Sequence, residues 1–98
     1  MNWKKYEKEI YQYFSNNYSG ASVKYDVEVH GRYSKKQRQI DILIEDEVAG
    51  YPIKVAVDAK NFSKKINVKC VESFISMLED IDVHQGLLIT MKDSQKRQ

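Results

Sequence analysis

A single cysteine, Cys70, leaves the chain without an intrachain disulfide, and a reducing, cytoplasmic setting is the simpler expectation. Cys70 itself reads as a small buried hydrophobe. No apolar run approaches the length that spans a bilayer, and the opening MNWKKYEKEI lacks the apolar core of a secretion signal. The expected protein is soluble, with no membrane among its partners. An excess of one charge is also missing. Sixteen Lys and Arg face fourteen Asp and Glu, a net of +2, so any affinity for an anionic polymer depends on where the charges are placed. Repeats, low-complexity tracts and linkers are absent, so residues 1–98 read as one domain, with about 91–98 a charged, frayed tail. An apolar share of 42% suffices for one core.

What is present is periodicity. Residues 3 to 18 place Trp3, Tyr6, Ile10, Tyr13 and Phe14 at spacings of three and four, which predicts a helix with one buried face, capped by Asn2 and stopped by Gly20. Glu7 and Glu9 flank that stripe, and taken alone both read as solvated acids with lysine neighbours. SVKYDVEVH alternates Val23, Tyr25, Val27 and Val29 with Lys24, Asp26, Glu28 and His30, a half-buried strand with His30 on its wet side. GRYSKKQR reads as an exposed connection. In it Arg32, Lys35, Lys36 and Arg38 offer charge to phosphates and Tyr33 offers a ring, although a solubilising loop accounts for the same residues. QIDILIE sets Ile40, Ile42 and Ile44 against Asp41 and Leu43, so a central strand with an acid inside it is expected. EDEVAG predicts a turn, and Pro52 opens the next strand.

That strand lies within YPIKVAVDAKNF, where Ile53, Val55, Val57 and Ala59 fall on one face and Lys54, Ala56, Asp58 and Lys60 on the other. Asp58 and Lys60 therefore point the same way at the end of a strand whose middle must be covered. Such charges are unfavourable unless each is paired or holds a ligand. Short turns join the three strands into an antiparallel meander. Beyond NFSKK, Asn67 caps a helix with Val71, Phe74, Ile75 and Leu78 as its apolar positions, and Ile66 and Val71 have the spacing of a hydrophobic staple. The helix is expected to end near Asp80 to Asp82. His84 falls in the connecting loop as a solvated residue, and QGLLIT is a buried strand that a helical crossover makes parallel to its predecessor.

In this order, Asp41 on the second strand, Asp58 and Lys60 on the third and a basic loop beyond resemble the PD-(D/E)xK nuclease superfamily. The succession YEKEI, RQIDILI, VDAKNFSKKI, INVKCVESF and QGLLIT, from about Tyr6 to Thr90, is similar to Mrr-type restriction endonuclease domains. The resemblance implies an α/β fold with a restriction-endonuclease-like core, element order αβββαβ and a mixed central sheet flanked by helices. It implies a metal-dependent endonuclease that hydrolyses DNA phosphodiester bonds in restriction, defence or a mobile element. Position 58 is Asp where such domains often carry Glu, and position 59 is Ala rather than the frequent Cys. The helix acid is Glu7 or Glu9. Glu7 is preferred, because the succession of aromatic, Glu and Ile matches the family's and its angle lies nearer the core.

Phosphodiester hydrolysis needs a metal to neutralise phosphate charge and to lower the pKa of the attacking water. Two converging carboxylates and a backbone carbonyl suit Mg²⁺, with Mn²⁺ as its substitute. On this reading Asp41 and Asp58 bind the metal with the Ala59 carbonyl as a third ligand. Lys60 orients or deprotonates the water or offsets developing charge, and Glu7 holds a metal-bound water or a second ion. Lys64, Lys65 and the loop with Arg32, Lys35, Lys36 and Arg38 grip the DNA backbone. Cutting both strands of a duplex takes two sites, so a homodimer or a larger assembly is expected. Two alternatives stay open: an inactive nuclease-like module that binds nucleic acid or a partner protein, and a resolvase of branched DNA. A strand-end ion pair of Asp58 and Lys60 beside Asp41 explains each residue singly, whereas the three in their fold positions favour the nuclease.

Overall fold

The computed structural model describes residues 3–61 and 67–91 and builds them into six elements. Helix α1 (Trp3–Asn17) precedes strands β1 (Ser22–His30), β2 (Gln37–Val48) and β3 (Tyr51–Asn61), followed by helix α2 (Val68–Ile81) and strand β4 (Gln85–Met91). The sheet order is β1-β2-β3-β4, antiparallel at its first two junctions and parallel at the last. This is the expected αβββαβ order with a mixed sheet, because tight turns force a meander and the helical crossover returns the last strand parallel. The expected cap at Asn2, the staple residue Ile66 and the tail from residue 92 lie outside the described residues.

Cross-strand register places the two helices. Tyr25 lies opposite Ile42 and Ile42 opposite Val57, so these share one face, where the Tyr25 ring meets Tyr11 of α1 with centroids 5.6 Å apart. Ala56 emerges on the other face and clusters with Ile40 and with Ile81 of α2. The helices therefore cover opposite faces. Ile40, Ile42 and Val57 are fully buried, and each such side chain contributes roughly 1.5–3 kcal/mol of transfer free energy.

Strand β4, expected to be buried, is instead the edge of the sheet, with Leu87 39% exposed and Leu88 and Ile89 only half-buried. Three further details depart from the sequence reading. Strand β1 keeps its alternation of exposure yet serves both layers. At Asp26 the backbone enters the left-handed region, φ 57°, and beyond it Val27 and Val29 pack with Ile40, Ala56 and Ile81 rather than under α1, so Ile40, paired with Val27, leaves the face it was expected to share with Ile42. One left-handed residue reverses the side on which the next side chains emerge, and Asp tolerates that conformation better than most. Second, the EDEV of EDEVAG continues β2, and the turn is only Ala49 and Gly50, at φ 53° and 84°, between the paired Val48 and Tyr51. Third, α2 is rotated from its expected orientation. Val71 and Ile75 are 37% and 50% exposed, while Met77 and Ile81 are buried, so the sheet-facing line runs through Phe74, Met77, Leu78 and Ile81.

The α2 termini are built as the sequence suggests. Asn67 sits extended and its side chain accepts the Cys70 N–H at 2.9 Å, satisfying one of the first-turn donors. Asp82, at φ 58°, closes the helix by donating its N–H to the Leu78 carbonyl. Gly86 of β4 lets α2 approach the sheet, since a Cβ there would run into Leu78 and Phe74.

Candidate active site

The β2–β3 ladder is regular from the hairpin as far as Ile42 opposite Val57. Just beyond it stand Asp41 and Asp58. The Asp41 carboxylate accepts the Ala59 backbone N–H at 2.8 Å, filling the acceptor role that a ladder carbonyl would otherwise take. Asp58, on the α2 face with Ala56, has a side chain only 15% exposed, and Lys60 brings its Nζ to 3.3 Å from the Asp58 carboxylate while remaining half exposed. Burial, the hydrogen bond with Asp41 and the charge of Asp41 push the Asp58 carboxyl from 3.8 up to about 6, against the pull of Lys60. Asp41, Asp58 and Lys60 are thus brought together as expected, an acid pair with a cation at its edge.

Asp58 and Lys60 open into a cleft of about 360 Å³ between the sheet and α2. Arg38 and Gln39 line it from β2, and Lys69, Cys70 and Ser73 from α2. Cys70 is half-buried here rather than a core residue.

The other residues named from sequence are distributed around this centre. Glu7 is half-buried on α1 and accepts the Tyr25 hydroxyl at 3.4 Å, whereas Glu9 is exposed. Tyr25 shares the α1 face and Asp58 the α2 face, and among the described residues no three His, Cys, Asp or Glu side chains are grouped to hold a metal. Glu7 is therefore not gathered with Asp41 and Asp58. Tyr33, Lys35 and Lys36 are exposed on the β1–β2 connection. Arg32 donates to the Glu79 carbonyl at 2.9 Å, pairs with Asp82 at 3.5 Å and lies over the Tyr33 ring. Lys64 and Lys65 fall outside the described residues. His30 is exposed with its ring nitrogen 3.0 Å from the Gln37 side chain, and exposed His84 accepts the Lys54 N–H at 3.0 Å, so both have local partners.

Asp80 escaped the sequence reading. It is 4% exposed near the end of α2 and anchors the basic connection, and its carboxyl is held low, at about 2, chiefly by the Ser34 hydroxyl and amide. It stands three residues after Met77 and one before Ile81, inside the buried line of α2, but that line becomes visible only once the helix is packed on the sheet.

The restriction endonuclease family, in its Mrr catalytic-domain form, has a family model that matches residues 1–97. No curated protein matches the chain. Among solved structures, the crystal structure of a protein of unknown function, AF1548, superposes with a TM-score of 0.71 at 17% identity, over 97% of this chain and 50% of that one. At that identity the likeness concerns the fold, and this chain spans half the length of that protein.

Proposed function

Because this chain belongs to the restriction endonuclease family in its Mrr-type form, we propose that it is a metal-dependent endonuclease that hydrolyses DNA phosphodiester bonds, with Asp41, Asp58 and Lys60 as its catalytic group. The observation that carries this reading is the contact of two carboxylates and a lysine at one end of a cleft, with Asp58 raised to about 6. Two adjacent acids in a half-buried setting resist sharing full ionisation, and a divalent cation relieves that repulsion. The donor set consists of hard oxygens, which suits Mg²⁺, with Mn²⁺ as its substitute.

Asp41 and Asp58, together with the Ala59 carbonyl, would hold the ion. When bound, it supplies charge neutralisation at the phosphate and a more acidic water. Lys60, half exposed beside Asp58, orients that water or offsets charge as the leaving group departs. Glu7, held on the α1 face by the Tyr25 hydroxyl, stands apart from this group. Arg38 reaches the cleft from β2, and Lys35, Lys36, Arg32, Lys64 and Lys65 would meet the DNA backbone. The 98 residues act as one nuclease unit in restriction, defence or a mobile element, paired as a homodimer or within a larger assembly to cut both strands.

One observation favours a second reading, a nuclease-like module that binds nucleic acid or a protein without cutting. Only two acids meet at the site among the described residues. Calorimetric titration with Mn²⁺ and Mg²⁺ separates the two. Binding in the wild type, weakened at least about tenfold in Asp41→Ala as expected for loss of a ligand, supports the endonuclease. No heat of binding in the wild type removes it and leaves the binding module.

A further inference from the structure

The connection between β1 and β2 is tied to the end of α2. Gly31 N–H donates to the Lys36 carbonyl at 2.8 Å and Lys35 N–H to the Gly31 carbonyl at 3.0 Å, closing a compact turn in which Lys35 adopts φ 61°. The Asp80 carboxylate fills this turn from below. It accepts the Tyr33 N–H at 2.8 Å, the Ser34 N–H at 2.9 Å and the Ser34 hydroxyl at 2.6 Å. The Asp80 backbone carbonyl accepts the Arg32 N–H at 2.8 Å as well. Gly31 is required at this contact, since a Cβ there would run into the Asp80 carboxylate and the Ser34 hydroxyl.

The same carboxylate reaches the candidate active site. Its second oxygen pairs with Arg38 at 3.2 Å, and Arg38 lines the cleft that holds Asp58 and Lys60. A guanidinium presents five donors in a rigid fork, and Asp80 takes one of them, so the fork is aimed while donors remain for a phosphate oxygen. One buried acid thus touches both parts of the basic surface, the exposed turn with Tyr33, Lys35 and Lys36 and the arginine at the cleft.

We infer that Asp80 is the positioning residue of the DNA-gripping surface, holding Arg38 at the mouth of the cleft and fixing the turn that presents Tyr33, Lys35 and Lys36 to the backbone phosphates. This rests on reading the β1–β2 connection as the element that meets DNA. A freely hinged basic loop would bind the same phosphates only after losing conformational freedom, and a loop ordered in advance avoids that loss. Arg32, engaged by Glu79 and Asp82, serves the same attachment.

The test titrates a fluorescein-labelled DNA duplex in EDTA, where cutting is suppressed, with wild type, Asp80→Asn, Arg38→Ala and the double variant. Amide hydrogen exchange is read at Tyr33, Ser34 and Ala59. Asp80→Asn is expected to weaken duplex binding about tenfold and to speed exchange at Tyr33 and Ser34 while Ala59 stays protected. The double variant is expected to lose little more than the larger single loss, because the two residues act as one unit. If Asp80→Asn fails to fold, Ser34→Ala, which removes one bond to the carboxylate, is expected to show the same pattern in weaker form. Unchanged duplex affinity in Asp80→Asn or, in its place, in Ser34→Ala, fully additive losses, or a wild type that does not bind duplex would each overturn the inference. A wild type that shows this binding pattern yet leaves DNA intact in Mg²⁺ supports the role of Asp80 and counts against the endonuclease instead.

Discussion

Asp58 stands where burial and the neighbouring Asp41 oppose its charge, and it holds its proton up to about pH 6 in the fold against 3.8 ordinarily. The folded state therefore binds more protons than the unfolded chain between those values, so the metal-free protein loses stability as pH rises from 3.8 through about 6. Above that range the deficit is complete, of the order of 1–3 kcal/mol. Asp58→Asn is expected to raise the Tm of the metal-free protein at pH 7.5 and to flatten the difference between melts at pH 5 and pH 7.5, while abolishing metal binding. A variant less stable than wild type at pH 7.5 would contradict this account of Asp58. Asp41, Asp58 and Lys60 were legible in the sequence because charge inside apolar strands is conspicuous against period-two alternation. Asp80 was not, because a helix-end acid followed by Asp82 reads as a solvated terminus until the turn that covers it is known. Glu7 is intermediate, since its position on α1 was legible and its partner, the Tyr25 hydroxyl, was not.

Strand and helix periods predicted every described element, and the failures lie where a single backbone conformation or a rotation decides the outcome. The reversal at Asp26 leaves the exposure of β1 alternating, so the sequence pattern is identical whether Val27 and Val29 face α1 or α2. In α2, residues Val71 and Ile75 are as apolar as Met77 and Ile81, and only packing on the sheet chooses between two adjacent stripes. The β2–β3 turn offers a direct check on backbone strain. Ala49 adopts φ 53° ahead of Gly50, the geometry of a two-residue hairpin turn that favours Asn-Gly. Ala49→Asn is expected to stabilise the protein by about 0.5–1 kcal/mol in chemical denaturation. A loss of stability would place the turn in another conformation.

Across the whole molecule the near-balance of charge matters less than its arrangement, because acids and bases are sorted rather than mixed at the cleft. Asp58 lines it beside Asp41, which accepts the Ala59 N–H; Lys60, Lys69 and Arg38 line it as well, and buried Asp80 pairs with Arg38. Family membership over residues 1–97 and the shared fold of AF1548 agree with that architecture, and among the described residues no helix is long and apolar enough to cross a membrane. The most direct test of the central claim is cutting of supercoiled plasmid in Mg²⁺ and in Mn²⁺ by wild type beside Lys60→Ala and Asp58→Ala. Wild-type cutting is expected, falling at least about a hundredfold in each variant, with linear product forming if paired sites cut both strands. Intact plasmid with the wild type, or variants that cut as fast, would contradict it.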